Sequence, residues 1–158
     1  MKGTLQAVIV ALRRLLWRAA WAPVSVLILH AIVAKTPLRD PLDFTIHFLG
    51  GASVAFFLFH TLECFAGLFA SPRPLARYLF SFSLTCTVGL FWEFAELFSD
   101  TFLHTHIQYS LHETMSDLIA DTTGAVTSLS LVFAARHLGR DRASDILSRQ
   151  SSHSKNTL

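Results

Sequence analysis

Long apolar stretches alternate with short polar breaks along this chain. A helix crossing a bilayer core of about 30 Å needs about 20 largely apolar residues. Four stretches meet that need, at about 15–34, 43–70, 77–100 and 115–138. The breaks carry turn formers: KTPLRDP at 35–41, SPRPL at 71–75, and a longer loop at 101–114. The residues at 4–12 read as an interfacial extension of the first span. From 139 to 158 the chain turns polar, Ser-rich and charged, which predicts an unstructured cytoplasmic tail. The pattern therefore predicts an all-α polytopic membrane protein. Residues 1–138 form one domain of four transmembrane helices, in a cell membrane of the bacterial inner or plasma type.

Composition sharpens this picture. Apolar residues make up 52% of the 158, and charged residues only 15%, against roughly 25% in soluble domains. That excludes an ordinary soluble domain, and it excludes disorder, which needs low hydrophobicity. A net charge of +2 leaves no broad basic face for nucleic acid. Cys64 and Cys86 lie in apolar runs and form neither a disulfide framework nor a zinc ribbon. Arg13, Arg14 and Arg18 precede the first span as a signal-peptide n-region would. However, Ala31-Ile32-Val33-Ala34 is a poor cleavage site, so an uncleaved helix is expected.

Charge also sets orientation. With both ends inside, 11 of the 13 Lys and Arg residues are cytoplasmic, and only Lys35 and Arg39 lie outside. The positive-inside rule then predicts an N-in, C-in topology.

The acids show the opposite bias. Eight of 11 carboxylates fall in the outer half: Asp40, Asp43, Glu93, Glu96, Asp100, Glu113, Asp117 and Asp121. Glu93, Glu96 and Asp100 share one helix stripe, at i, i+3 and i+7. Asp43 and His47 are at i, i+4, as are Asp117 and Asp121. Gly50 and Gly51 continue the His47 stripe, and Gly124 and Ser128 the Asp121 stripe, so these faces suit close helix packing. Asp40, Asp100 and Glu113 are equally well explained as solvated interfacial acids. Asp43 and Asp117 sit in first turns, where the helix dipole favours acids. Glu93, Glu96 and Asp121 lie deeper, where an ionised group is costly and by default functional.

The histidines extend the set. His47 joins the carboxylates. His104 and His106 form an H-x-H in the outer loop, followed by His112. His30, His60, His137 and His153 read as structural or exposed, and Glu63 beside His60 as a polar helix contact. Carboxylates with imidazole suit a divalent ion: Zn, Mn, Fe, Mg or Ca. The expected metal ligands are His47, Glu93, Glu96, Asp117 and Asp121, with Glu93, Glu96 and Asp117 as catalytic acids or bases. Asp43, Asp100, His104, His106 and His112 would support the ligands or form a lid. No nucleophile elbow, P-loop or H-E-x-x-H occurs.

Three segments carry a resemblance. They are DFTIHFLGG (43–51), FWEFAELFSD (91–100) and ETMSDLIADTTGA (113–125). They resemble the YjdF-like family of small bacterial and archaeal membrane proteins, and more distantly the VanZ-like family, associated with glycopeptide resistance. The resemblance covers Asp43 to Ala125. It implies that Asp43, His47, Trp92, Glu93, Glu96, Asp117, Asp121, Gly124 and Ala125 belong together. Many members are longer, which leaves a homo-oligomer open. The expected function is an outward-facing, metal-dependent hydrolase for a lipid or cell-envelope substrate. The alternatives are a cation- or proton-coupled transporter, with a polar path inward through Thr85, Thr87 or Glu63, and a non-catalytic accessory protein holding a structural ion.

Overall fold

A backbone in hydrocarbon must satisfy its own polar groups, and α-helices do so within one segment. The computed structural model describes residues 2–67, 73–108 and 110–155, with side chains at 4–67, 73–108 and 110–140. All the regular structure there is helical: α1 (Lys2–Leu15), a π-helical turn (Leu16–Ala20), α2 (Trp21–Val33), α3 (Arg39–Cys64), α4 (Pro74–Leu103) and α5 (Leu111–Lys155). Four helical stretches are long and apolar enough to span a membrane: Thr4–Val33, Arg39–Cys64, Pro74–Leu103 and Leu111–Arg140. The number of spans and the helical class match the sequence pattern. Cys64 and Cys86 are free thiols.

The boundaries differ in instructive ways. The extension at 4–12 is continuous with the first span, and the wide π turn joins them. Pro23 explains that turn. It has no N–H for the Ala19 carbonyl, and its ring crowds that group, so the helix widens just upstream. α3 stops at Cys64 rather than near 70. A turn follows, with Gly67 at φ 89, a backbone region that favours glycine; residues 68–70 lie outside the described residues. α4 begins at Pro74, a residue suited to a first helical position because it lacks the N–H left unpaired there. α5 does not give way to an unstructured tail at 139 but stays helical through Lys155. That polar stretch contains no proline, and its Ala, Leu, Arg and Gln residues favour helix.

α3 is the central element. It packs against every other helix, most extensively against α5, and α4 closes on α5. α2 rests on α3 and meets α4 through His30 and Trp92, whose rings stand perpendicular with centroids 5.4 Å apart. The α3–α5 crossing depends on two glycines. A Cβ on Gly51 would overlap the Asp121 carbonyl oxygen, and one on Gly124 would overlap the Phe48 carbonyl. The backbones touch there, as small residues permit in membrane bundles. Beyond the crossing, Ala55, Phe59, Ala125 and Leu129 form the core, with Tyr78, Phe82 and Val132 against it. Outward faces carry Phe91, Phe98, Ile119 and Leu131, all more than half exposed, as contact with lipid requires.

Either Gly51→Ala or Gly124→Ala should push α3 and α5 apart and cost about 1–3 kcal/mol, the usual range for overpacking. Gly139 faces open space on α5, so Gly139→Ala should be neutral or stabilise by up to about 1 kcal/mol. Reversible unfolding in mixed micelles would check this. Equal effects at all three positions would refute the contact.

Candidate functional site

The α3–α5 crossing brings two i, i+4 pairs face to face. Asp43 and His47 come from the N-terminal third of α3, and Asp117 and Asp121 from the N-terminal third of α5. Asp43, His47 and Asp117 each offer a ligand atom, and those atoms all lie within 4.8 Å of one another. His47 and Asp117 are buried, and Asp43 is half-buried. Two carboxylates and an imidazole at this spacing form a donor set for a hard or borderline divalent ion.

Asp121 takes a different place. Its Oδ2 stands 3.6 Å from His47 Nδ1, and it is not one of the three-residue group. Three glycines make room for it. Gly50 lies against Oδ1, Gly51 touches its backbone, and a Cβ on Gly89 would come 2.7 Å from Oδ2. At that distance the carboxylate acts on the imidazole by charge, being longer than a hydrogen bond.

α4 supplies Glu93, which is 2% exposed. Gln108 Nε2 donates to Glu93 Oε2 at 3.0 Å and to the Glu93 backbone carbonyl at 3.2 Å. Glu93 Oε1 is buried and has no hydrogen-bond partner. Such an atom is costly unless a proton, a cation or a ligand meets it. One turn on, Glu96 Oε1 accepts a hydrogen bond from Trp92 Nε1 at 2.8 Å. Glu93 and Glu96 therefore stand outside the three-residue donor group, where the sequence expects ligands.

Asp100 organises the outer loop. It accepts hydrogen bonds from Thr105 Oγ1 and from the backbone N–H groups of His106, Ile107 and Gln108, at 2.6–2.8 Å. Arg39 at the start of α3 donates to the Ile107 carbonyl at 3.0 Å. These bonds hold the loop in a tight path, with His104 at φ 54 and His106 at φ 134. They also place Gln108 over Glu93. His104, His106 and His112 are exposed and stand outside the donor group. Gln108 escapes sequence reasoning, because an amide in a polar loop carries no ligand spacing.

An apolar cavity of about 280 Å³ adjoins the polar groups. α2 lines it with Pro23, Val26 and Leu27, α3 with Ile46 and Val54, and α4 with Val88 and Trp92. His47 and Asp121 also line it. So does His30, which the sequence places apart from the cluster; helix α2 folds back along α3 and carries it there. His60 lies away from the pocket beside Glu63, and His137 packs on Phe133. The side chain of His153 lies outside the described residues.

Replacing Asp100 with Ala should release the loop. Amide exchange at His106, Ile107 and Gln108 should quicken while exchange in mid-α3 stays slow. Unchanged protection of those three amides would refute the anchoring role.

No curated protein and no solved structure matches this chain. One family model, described as a predicted membrane protein (DUF2238), matches residues 15–138. That match reaches all four spans, including most of the first, which the segment resemblance leaves out. The chain belongs to this family of predicted membrane proteins, the YjdF-like family, and is an integral membrane protein.

Proposed function

We propose that the pocket binds one divalent ion through Asp43, His47 and Asp117 and hydrolyses a lipid or cell-envelope substrate. The convergence of three ligand atoms from α3 and α5 beside the unpartnered Glu93 Oε1 carries this reading. Bound there, the ion would polarise a substrate oxygen and activate water. Asp121 would hold the His47 ring, and Glu93 would act as general base. Glu96, tied to Trp92, would tune the charge around Glu93. The adjoining apolar cavity favours a substrate with a hydrocarbon portion over a purely aqueous one.

The inner half of the bundle supports a pocket rather than a conduit. Ala55, Phe59, Ala125 and Leu129 pack across it. The hydroxyls of Ser81 and Thr85 are bonded to carbonyls one turn back on α4, so they lend no polar path. Thr87 is exposed and likewise bonded within its own helix.

The pocket would open on the outer surface, because the arginine-rich end belongs inside. In a Cys64→Ser/Cys86→Ser background, cysteines placed at Thr105 and Arg73 should label from opposite sides of the membrane. Labelling from one side would reverse that assignment.

Elemental analysis of the detergent-purified protein should find close to one divalent ion per chain. Asp43→Asn/Asp117→Asn should lose it. Asp121→Asn should weaken affinity by about 10- to 100-fold, the usual effect of removing a ligand's outer partner. Glu93→Gln should retain the ion and lose hydrolysis of lipid substrates. Equal metal content in the parent and the Asp43/Asp117 variant would defeat the reading.

A further inference from the structure

The apolar cavity beside the donor group has a mouth. α2 and α4 both pack on α3, but among the described residues no Cα of α2 comes within 8 Å of one on α4. The rings of His30 and Trp92 bridge the two helices edge to face, near the outer end of α2. Inward of that bridge the helices stand apart. Leu27 of α2 and Val88 of α4 line the cavity there, yet they are 53% and 45% exposed. Both belong to stretches long and apolar enough to span a membrane. The mouth therefore opens sideways, toward hydrocarbon rather than toward water.

Size and polarity select the occupant. The cavity runs from Ile46 to Val54 on α3, about 12 Å at the helix rise and less than half of a hydrocarbon core of about 30 Å. Its volume of about 280 Å³ lies at the small end of ligand pockets, with room for one chain and not for a whole lipid. His30 and His47 stand at its outer end, on the side of Asp43 and Asp117. At its inner end Ser53 Oγ donates to the Gly50 carbonyl at 2.9 Å, and Thr85 Oγ1 to the Ser81 carbonyl at 2.7 Å. Both hydroxyl protons thus stay within their own helices. The occupant that fits is polar at the donor end and apolar inward. A lipid of the adjacent leaflet has that polarity, with its headgroup at the surface and its chains toward the midplane.

We propose that one acyl chain of a bilayer phospholipid enters this cavity sideways, between α2 and α4, with its ester end at His47 and its chain running toward Val54. The proposal deepens the hydrolase reading and rests on it for the headgroup's place at the donor group. The chain's seat rests on the cavity and its mouth.

Full-length protein in phosphatidylcholine nanodiscs gives the test. The discs are doped with phosphatidylcholine carrying a photoactivated diazirine either next to the ester or in mid-chain, and mass spectrometry locates the adducts. Ile46 and Ser53 are buried, so surrounding lipid does not reach them, whereas exposed Leu131 on α5 records that lipid. The ester-proximal probe should mark Ile46, and the mid-chain probe should mark Ser53 and Val54. Adducts confined to Leu131 and other outward positions would overturn the proposal in the parent protein itself. The reverse order along α3 would overturn the orientation. Leu27→Trp/Val88→Trp enlarges two half-exposed side chains at the mouth and leaves the core packing alone. It should lose the Ile46 and Ser53 adducts and keep the one at Leu131. An undiminished Ser53 adduct in that variant would overturn the sideways entry. Inner adducts in protein that holds no divalent ion would uphold the chain site and defeat the hydrolase reading. A bound ion without inner adducts would do the converse.

Discussion

The backbone contact between α3 and α5 is the constraint on which the rest depends. Gly51 and Gly124 let the helices meet carbonyl to Cα, closer than any side chain would allow. That spacing is what puts ligand atoms of Asp43 and His47 within reach of Asp117. A bundle held at ordinary helix separations of 8–10 Å would leave the carboxylates facing each other across a gap. In hydrocarbon there is little hydrophobic gain from bringing helices together, so close packing must supply the attraction. The same two glycines thus set both the helix packing and the spacing of the donor group.

Polar groups in such a bundle are either satisfied locally or concentrated. Ser81, Thr85, Thr122 and Thr127 take the local course, each bonded to a carbonyl one turn back. Asp100 is satisfied by the loop it anchors. Among the described residues Glu93 is the exception, with one oxygen paired to Gln108 and the other buried without a partner. A protein that satisfies its hydroxyls so consistently leaves this atom conspicuous, and it lies in the wall where the acids gather.

Much of this was legible in sequence, because bilayer thickness dictates span length and helix period dictates which acids share a face. The four spans, the i, i+4 pairs and the glycine stripes all follow from those two periods. What escaped has a physical reason in each case. Pairwise spacing on a helix says which residues share a face, not which neighbour each faces. Asp43 accordingly joins His47 and Asp117 in the donor group, while Asp121 faces the His47 ring. His30 reaches the cavity wall only because α2 packs on α3, a tertiary fact. Gln108 and the Asp100 anchor depend on loop hydrogen bonds that no period encodes. Glu63 reads as a simple contact with His60, yet the fold also brings Arg18, Arg77 and Arg136 to it.

The two charged ends show why the inner core matters. Carboxylates gather at one end of α3 and arginines at the other, about 30 Å apart along the helix. Opposite charges at that distance attract by only about 0.6 kcal/mol at an effective dielectric constant of about 20. Phe59, Ala55, Ala125 and Leu129 fill the space between them with apolar side chains. Phe59 also carries Arg136 on its ring face, so one side chain both packs the core and seats a cation. The apolar core therefore separates the carboxylate end of α3 from the arginine end, and each end meets its own neighbours.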